Sequence, residues 1–252
     1  MRFLALVGTA AATIAVGFWA APASAATISV SGTVSCDGGN AVVGVWIQSS
    51  GGGSGFAAWT RLPNRVNVAS YSKTLSTALP TNISLHVGCG GTSSSWWGDN
   101  WTPNKAIGGS ATLNARCSEG PGTAVRCAWP ATGASRSYNG FAGGYCTWGA
   151  AEKWKQNTGA YPGWNGDAMY WDTNARSAGW TVVSTPRARA VVVMEPGATT
   201  SSVGHVAWVN SYRISGSTIY LNITDMNRYS LGVWSTYERV YQPGQMSFIM
   251  AP

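Results

Sequence analysis

Three separated stretches of the sequence carry the residue types of a nucleophilic site built on a thiol. Residues 143–148 contain Cys146, residues 204–206 contain His205, and residues 225–227 contain Asp225 and Asn227. A thiolate is a nucleophile, an imidazole accepts its proton, and a carboxylate or amide orients the imidazole. These residue types together predict covalent catalysis at Cys146.

Cysteine arithmetic leaves one thiol unpaired. The five cysteines are Cys36, Cys89, Cys117, Cys127 and Cys146. In an exported chain an odd count means that one cysteine lacks a partner. Proximity favours pairing of Cys36 with Cys89 and of Cys117 with Cys127, although these four cysteines allow three connectivities. Each of the three leaves Cys146 free.

The residues after Cys146 predict a helix. Positions 147–157 are rich in helix formers, with an apolar stripe of Trp148, Ala151 and Trp154 or Lys155, and Gly159 ends the run. Cys146 then lies in the first turn, where free N–H groups and the helix dipole stabilise a thiolate or an oxyanion. The alternatives are an inert buried thiol and an intermolecular disulfide.

His205 begins an apolar run that predicts a strand, and a turn at 215–217 leads into a second strand with alternating Ile219, Leu221 and Ile223. The pairing of such a hairpin places His205 opposite positions 225 to 227. Asp225 or Asn227 then accepts the imidazole N–H and fixes its tautomer. The alternative is a structural histidine.

Residues 137–250 resemble the cysteine, histidine-dependent amidohydrolase/peptidase (CHAP) family. The resemblance rests on the order and spacing of 144–148, 166–168 with Trp171, 179–180 with Pro186, 204–207 and 225–227. It implies a papain-like α+β domain that cleaves amide bonds of peptidoglycan, as an N-acetylmuramoyl-L-alanine amidase or an endopeptidase. It also implies Cys146 as nucleophile, His205 as base, Asp225 as orienting acid and Asn227 as a further polar member.

Three positions depart from the family pattern. Tyr145 replaces the usual Gln before the cysteine, so its hydroxyl or the backbone must fill any oxyanion role of that Gln. Asp225 stands where Glu is commoner and is one methylene shorter. Arg189 stands where Gly is common, and the sequence offers no reason for that change.

The first half of the chain predicts an all-β fold. Alternating apolar residues at 28–34, 43–45 and 83–89, separated by Gly-rich turns, indicate a β-sandwich. Residues 30–47 resemble the first hairpin of immunoglobulin-like or prealbumin-like modules. His86 lies on the outward phase of its strand and is predicted to be a surface residue.

Three indoles lie close together in the polar segment 93–101, at Trp96, Trp97 and Trp101. We expect this segment to be a loop, and its flat rings are candidates for contact with sugars. Aromatic clusters are common in a chain with 14 tryptophans, which favours the alternative that the indoles cap the sandwich or pack on the second domain.

The N-terminus has the pattern of an export signal. Arg2 precedes an apolar run and a small-x-small site at 23–25, which predicts a signal peptide at 1–25 rather than an uncleaved anchor. The remainder divides into a β-sandwich at 26–128, a linker at 129–136 and a catalytic domain at 137–252. After cleavage of the signal peptide, we expect a secreted protein that is associated with the cell wall and has no membrane segment.

The net charge of +7 is not concentrated in a basic block or helix, which disfavours nucleic acid as a partner and favours anionic wall polymers besides peptidoglycan. No metal or other cofactor is expected, because the sequence lacks the ligand spacings of zinc or calcium sites. The alternatives are a non-catalytic wall-binding or adhesive protein and a toxin against other bacteria. Sequence does not fix the oligomeric state.

Overall fold

The computed structural model describes residues 24–120 and 122–252. Most of the predicted signal peptide, 1–25, lies outside these residues. No helix of the described part of the chain is long and apolar enough to cross a membrane.

The N-terminal region consists of strands in two six-stranded sheets within the described residues. Its strands are β1 (Ala26–Cys36), β2 (Val42–Ser49), β3 (Gly55–Phe56), β4 (Ala58–Leu62), β5 (Arg65–Thr77), β6 (Thr81–Thr92), β7 (Ser95–Trp101), β8 (Lys105–Ile107), β9 (Ala111–Thr112), β10 (Ala115–Cys117), β11 (Gly122–Val125) and β12 (Cys127–Ala128). The first sheet has the order β12-β10-β1-β5-β4 with β9 beside β1, and the second the order β11-β7-β6-β2-β3 with β8 beside β6.

The two sheets share one hydrophobic core. Val30 and Val34 from the first sheet and Val45, Ile47 and Leu85 from the second are all fully buried. These residues alternate along their strands because successive side chains of a strand point to opposite faces. The all-β prediction is confirmed for this region, whereas its immunoglobulin or prealbumin type stays a prediction.

The predicted first hairpin is wrong. β1 pairs with β5, β9 and β10, while β2 pairs with β6 in the other sheet. Alternation identifies a strand but not its partner, and the turn at 37–40 carries the chain between sheets. The disulfide Cys36–Cys89 joins the two sheets, and Cys117–Cys127 joins the paired strands β10 and β12. Both bonds are the ones that proximity favoured.

The second region combines helices with one antiparallel sheet, which confirms the α+β prediction. Its elements are β13 (Ser135–Arg136), α1 (Cys146–Thr158), β14 (Tyr161–Pro162), a 3-10 turn (Ala168–Tyr170), α2 (Trp171–Ser177), β15 (Val182–Val183), β16 (Ala190–Met194), a 3-10 turn (Pro196–Ala198), β17 (His205–Ser215), β18 (Thr218–Met226), β19 (Trp234–Val240) and β20 (Met246–Met250). The sheet order is β15-β20-β16-β17-β18-β19, and β13 pairs with β14.

Helix α1 packs on one face of this sheet. Ala150, Ala151 and Trp154 are buried against the strands, in one cluster with Val191 and Val206. The predicted stripe is only partly correct, since Trp148 is partly buried and Lys155 is exposed. Small residues face the sheet because they let the helix lie close to it.

Buried charges join the two regions. Arg116 donates to both carboxylate oxygens of Asp37, at 3.2 and 3.1 Å, and to the Ala251 carbonyl at 2.5 Å. Arg187 places Nε 3.7 Å from Asp37 and donates to the Arg126 carbonyl at 2.5 Å. These hydrogen bonds and ion pairs hold the two regions against each other. The last two residues of the predicted linker, 129–136, form β13.

Candidate active site

Helix α1 begins at Cys146, as predicted, with Tyr145 as its N-cap residue. Gly144, with φ 86°, turns the chain into the helix in a left-handed conformation that favours glycine. Gly149 allows the helix to approach β18, since a Cβ there would lie 2.6 Å from Cβ of Met226. The thiol is thereby held at the helix N-terminus beside the strands that carry the histidine and the acid.

The hairpin of β17 and β18 positions His205 and Asp225. It turns through Gly216 and Ser217 between the paired Ser215 and Thr218, and a bulge after Val209 shifts the register. His205 Nε2 and Asp225 Oδ2 are 2.8 Å apart. The predicted partner of the imidazole is thus found at Asp225.

Gly204 allows β17 to begin with His205 at this place. Its φ is 73°, and an added Cβ would lie 2.7 Å from the Met194 carbonyl oxygen. A side chain at position 204 would therefore displace the start of the strand that carries the imidazole.

Sequence reasoning missed Tyr237, which lies on β19 next to the hairpin. Its hydroxyl donates to Asp225 Oδ2 at 2.8 Å, the oxygen that also contacts His205. The alternation of β19 places Tyr237 on its partly buried phase, but only the pairing of β18 with β19 reveals its partner. Tyr237 fixes the buried carboxylate that orients the imidazole.

The environment of Cys146 favours the thiolate. Burial raises the pKa of the thiol, but a hydrogen bond to His205, the charge of that ring and the backbone N–H groups of Val206 and Thr147 outweigh burial and leave the pKa below its ordinary value. The site therefore makes the Cys146 sulfur easier to ionise than an ordinary thiol.

The environment of His205 favours the imidazolium. Burial lowers its pKa, but the hydrogen bonds to Asp225 and Cys146 and the charges of both raise it to about 9. Because Nε2 is occupied by Asp225, Nδ1 is the nitrogen that exchanges a proton with Cys146. The contact between the two groups therefore favours the thiolate of Cys146 and the imidazolium of His205 together.

The other residues predicted near the site lie at its edge. Asn227, with φ 64°, donates its backbone N–H to the Val233 carbonyl at 3.0 Å and lines a groove that includes His205. Tyr145 is 49% exposed, so its ring is accessible to a substrate. Arg189 has φ 49°, in the left-handed region, which gives a physical reason why glycine suits this position.

The three indoles of 93–101 do not form one platform, and the segment is strand β7 rather than a loop. Trp96 covers Gly44 and Gly88 and lines a groove with Trp46 and Phe56, while Trp97 lines a different groove beside Tyr212. Glycine at 44 and 88 leaves room for the indole, which the sequence pattern does not reveal.

Trp101 stacks on His86 with ring centroids 4.7 Å apart. His86 is partly buried and its Nδ1 is 3.2 Å from Asp99. The prediction that His86 faces outward as a surface residue is therefore only partly correct, since the ring is enclosed by an indole and a carboxylate.

The second region therefore brings a thiol, an imidazole and a carboxylate into one hydrogen-bonded series at a helix N-terminus, the arrangement that nucleophilic catalysis by a thiol requires. Residues 136–227 match the family model of the CHAP domain, and the chain carries this domain.

Other comparisons are narrower. The solved structure of N-acetylmuramoyl-L-alanine amidase from Staphylococcus aureus is 30% identical, over 43% of this chain and 31% of that chain, with a TM-score of 0.37. The chain thus spans about a third of that amidase. No curated protein matches the chain.

Proposed function

We propose that the protein is a secreted cysteine peptidoglycan hydrolase that cleaves amide bonds, as an N-acetylmuramoyl-L-alanine amidase or as an endopeptidase. The observation that supports this most directly is the contact series Cys146–His205–Asp225 inside a CHAP domain. In this proposal residues 137–252 form a papain-like catalytic domain and residues 26–128 an accessory sandwich of immunoglobulin or prealbumin type, joined by 129–136.

The reaction begins with attack of the Cys146 thiolate on the amide carbonyl carbon. The His205 imidazolium gives its proton to the leaving nitrogen as the C–N bond breaks, which leaves a thioester. Neutral His205 then takes a proton from water while the hydroxide adds to the thioester carbonyl, and the C–S bond breaks. The products are an amine and a carboxylate, and the thiolate–imidazolium pair is restored.

Asp225 stabilises the imidazolium in both half-reactions, and Asn227 lines the groove that also includes His205. The N–H groups of the first turn of α1 stabilise the oxyanion, with Tyr145 beside them. Loss of one oxyanion donor in other enzymes costs about 3 kcal/mol of transition-state stabilisation.

The test is digestion of purified peptidoglycan by the wild-type protein and by Cys146→Ala, with mass spectrometry of the released fragments. Release of intact stem peptides with free L-alanine amines identifies an amidase, whereas new termini within the peptides identify an endopeptidase. Release by the wild type alone is expected. Equal release by both proteins would contradict catalysis by Cys146.

The second candidate function is a non-catalytic wall-binding or adhesive protein. Exposed aromatic residues in the N-terminal region favour it, among them Phe56, 63% exposed, in the groove with Trp46 and Trp96. Binding to intact walls without release of any fragment by the wild-type protein would support this function over hydrolysis.

We further propose that this groove, Trp101 and Trp97 contact wall glycans, while the net charge of +7 draws the protein to anionic wall polymers. Co-sedimentation of the full chain carrying Cys146→Ala with walls tests both contacts. We expect binding to weaken with salt and with Trp46→Ala. Wall binding that changes with neither would refute both contacts.

We propose that the protein is secreted, which is supported by the two disulfides, since such bonds form in oxidising compartments, and by the sequence pattern that predicts a signal peptide at 1–25. The same activity serves remodelling of the producer's own wall or attack on competitors.

A further inference from the structure

A groove of about 500 Å³ borders His205 on the side of Asn227. One wall is the segment 194–201, after β16, and the other is formed by residues at the end of β18 and on β19. A volume of this size accommodates one or two amino-acid residues of a substrate.

The lining of this groove is electropositive. It includes Arg228, Arg239 and His205 and contains no aspartate or glutamate. Among the described residues, neither arginine forms an ion pair with a carboxylate. Because the His205 ring is paired with Asp225 at 2.8 Å and contacts Cys146, the two arginines carry the positive charge of the groove that no carboxylate of the described residues offsets.

Arg228 is held in a defined position at the mouth of the groove. Its guanidinium carbon is 3.4 Å from the ring centroid of Tyr237 and 5.1 Å from that of Tyr229. Stacking occupies the face of the guanidinium and one N–H donates to the Tyr237 hydroxyl, which leaves the other N–H donors of the planar edge for another group. That edge matches the two oxygens of a carboxylate.

Arg239 supplies positive charge deeper in the same wall. Its Nη2 donates to the Ala198 carbonyl, and its Nε is buried with no hydrogen-bond partner in the described part of the chain. The Arg239 guanidinium is thus held in place without a carboxylate partner in the described part of the chain. Its positive charge attracts an anionic group that enters the groove.

The location of the groove decides which half of a substrate it receives. In the proposed mechanism His205 protonates the leaving nitrogen, so the amine half of the substrate lies on the His205 side of the scissile bond. We propose that the groove binds a carboxylate on the amine half, with Arg228 as its contact and Arg239 as a second source of attraction. This inference rests on the proposed hydrolysis and specifies its substrate class.

The experiment uses pairs of stem-peptide substrates that differ only in one group, a free carboxylate or the corresponding carboxamide, placed on the amine half or on the acyl half. We expect the wild-type protein to prefer the carboxylate on the amine half by about tenfold or more in kcat/KM, as a charge-assisted hydrogen bond allows. A carboxylate on the acyl half should give no such preference.

The arginine variants test the contact. In Arg228→Gln we expect the ratio of carboxylate to carboxamide cleavage to fall towards one, and Arg239→Gln should reduce it less. Because the ratio is measured within each variant, partial misfolding does not imitate the result. Arg213→Gln, which removes an exposed cation of the same strand as His205 that is paired with Glu238 and does not line the groove, should retain the wild-type ratio.

Three outcomes would overturn the proposal: equal cleavage of the amine-half pair by the wild type, a preference that follows the acyl half, or a preference that survives both arginine substitutions. If the wild type cleaves neither these substrates nor peptidoglycan, the proposed hydrolysis fails. In that case, calorimetry measures the binding of the two amine-half peptides, carboxylate and carboxamide, to the Cys146→Ala protein. Tighter binding of the carboxylate that is lost when Arg228→Gln is added would support the groove as a carboxylate site, and any other result would overturn it.

Discussion

The thiolate at Cys146 depends on groups from three elements. The first turn of α1 supplies the Thr147 N–H, β17 supplies the His205 ring and the Val206 N–H, and β18 holds the ring through Asp225. Each of these stabilises charge against the cost of burying it. Reactivity at this sulfur therefore reports the integrity of the whole arrangement.

Alkylation tests this directly. An ordinary thiol with a pKa near 8.5 is only about 0.3% thiolate at pH 6, whereas the lowered pKa of Cys146 predicts much faster reaction with iodoacetamide there. His205→Ala removes the largest stabilising partner and should move the reactivity curve to higher pH. An unchanged curve in that variant would show that the ring does not stabilise the sulfur.

On the alkaline side of the pH profile, the rate of hydrolysis should fall as the pH rises, because His205 loses its proton there. His205 must carry a proton to release the amine, and its pKa of about 9 means that this proton is lost as the pH rises through that value. We expect kcat/KM to rise on the acid side as the thiolate forms and to fall near pH 9. A profile that keeps rising above pH 10 would exclude His205 as the acid.

Tyr237 is a positioning residue in this account. Tyr237→Phe removes the 2.8 Å hydrogen bond to Asp225 while it keeps the aromatic ring under Arg228. We expect kcat to fall about tenfold with KM little changed, because loss of one hydrogen bond to a charged group costs about 1.5 kcal/mol or more. Tyr241→Phe, which removes a 2.6 Å bond to the Ser184 carbonyl, is the matched control and should stay near wild type.

At the scale of elements, local patterns predicted the parts that local physics determines. Helix formers between Cys146 and Gly159 predicted α1, and the alternation after the Ser215–Thr218 turn placed Asp225 with His205. What failed were long-range choices, such as the partner of β1 and the strand at Trp96. The partner of β1 depends on how distant strands pair, and the place of Trp96 depends on glycines of neighbouring strands that leave room for its indole. Neither is encoded in the alternation of apolar residues along one segment.

The closeness of α1 to β18 is an element-scale requirement. In an exposed helix Gly→Ala is stabilising by about 1 kcal/mol, but at Gly149 the added Cβ would lie 2.6 Å from Met226. We expect Gly149→Ala to destabilise the fold by about 1–3 kcal/mol and to reduce hydrolysis, because the helix must move away from the hairpin. Denaturant unfolding and peptidoglycan turnover measure both effects.

Gly143→Ala provides the comparison, because an added Cβ there meets no atom within 4 Å. It should leave stability and turnover close to those of the wild-type protein. Equal losses in the two variants would mean that close packing of α1 on β18 is not what positions Cys146.

At the scale of the whole molecule, the buried cluster of Asp37, Arg116 and Arg187 joins the N-terminal all-β region to the second region. One carboxylate faces two guanidinium groups, and backbone carbonyls of both regions accept further hydrogen bonds from these groups. Buried charges of this kind are costly when left unpaired. The cluster therefore couples the unfolding of the two regions.

Asp37→Asn keeps the shape of the side chain but leaves Arg116 and Arg187 without a counter-charge. We expect a loss of about 3–5 kcal/mol in the free energy of unfolding, the usual cost of removing one partner from a buried ion pair. Glu238→Gln breaks the exposed pair with Arg213 and should change stability much less, since solvent screens that pair. Calorimetry should show one transition in the wild-type chain and two separated transitions in Asp37→Asn. If both variants unfold alike, the charges at the interface contribute no more than a surface pair, and the two regions are joined by other contacts.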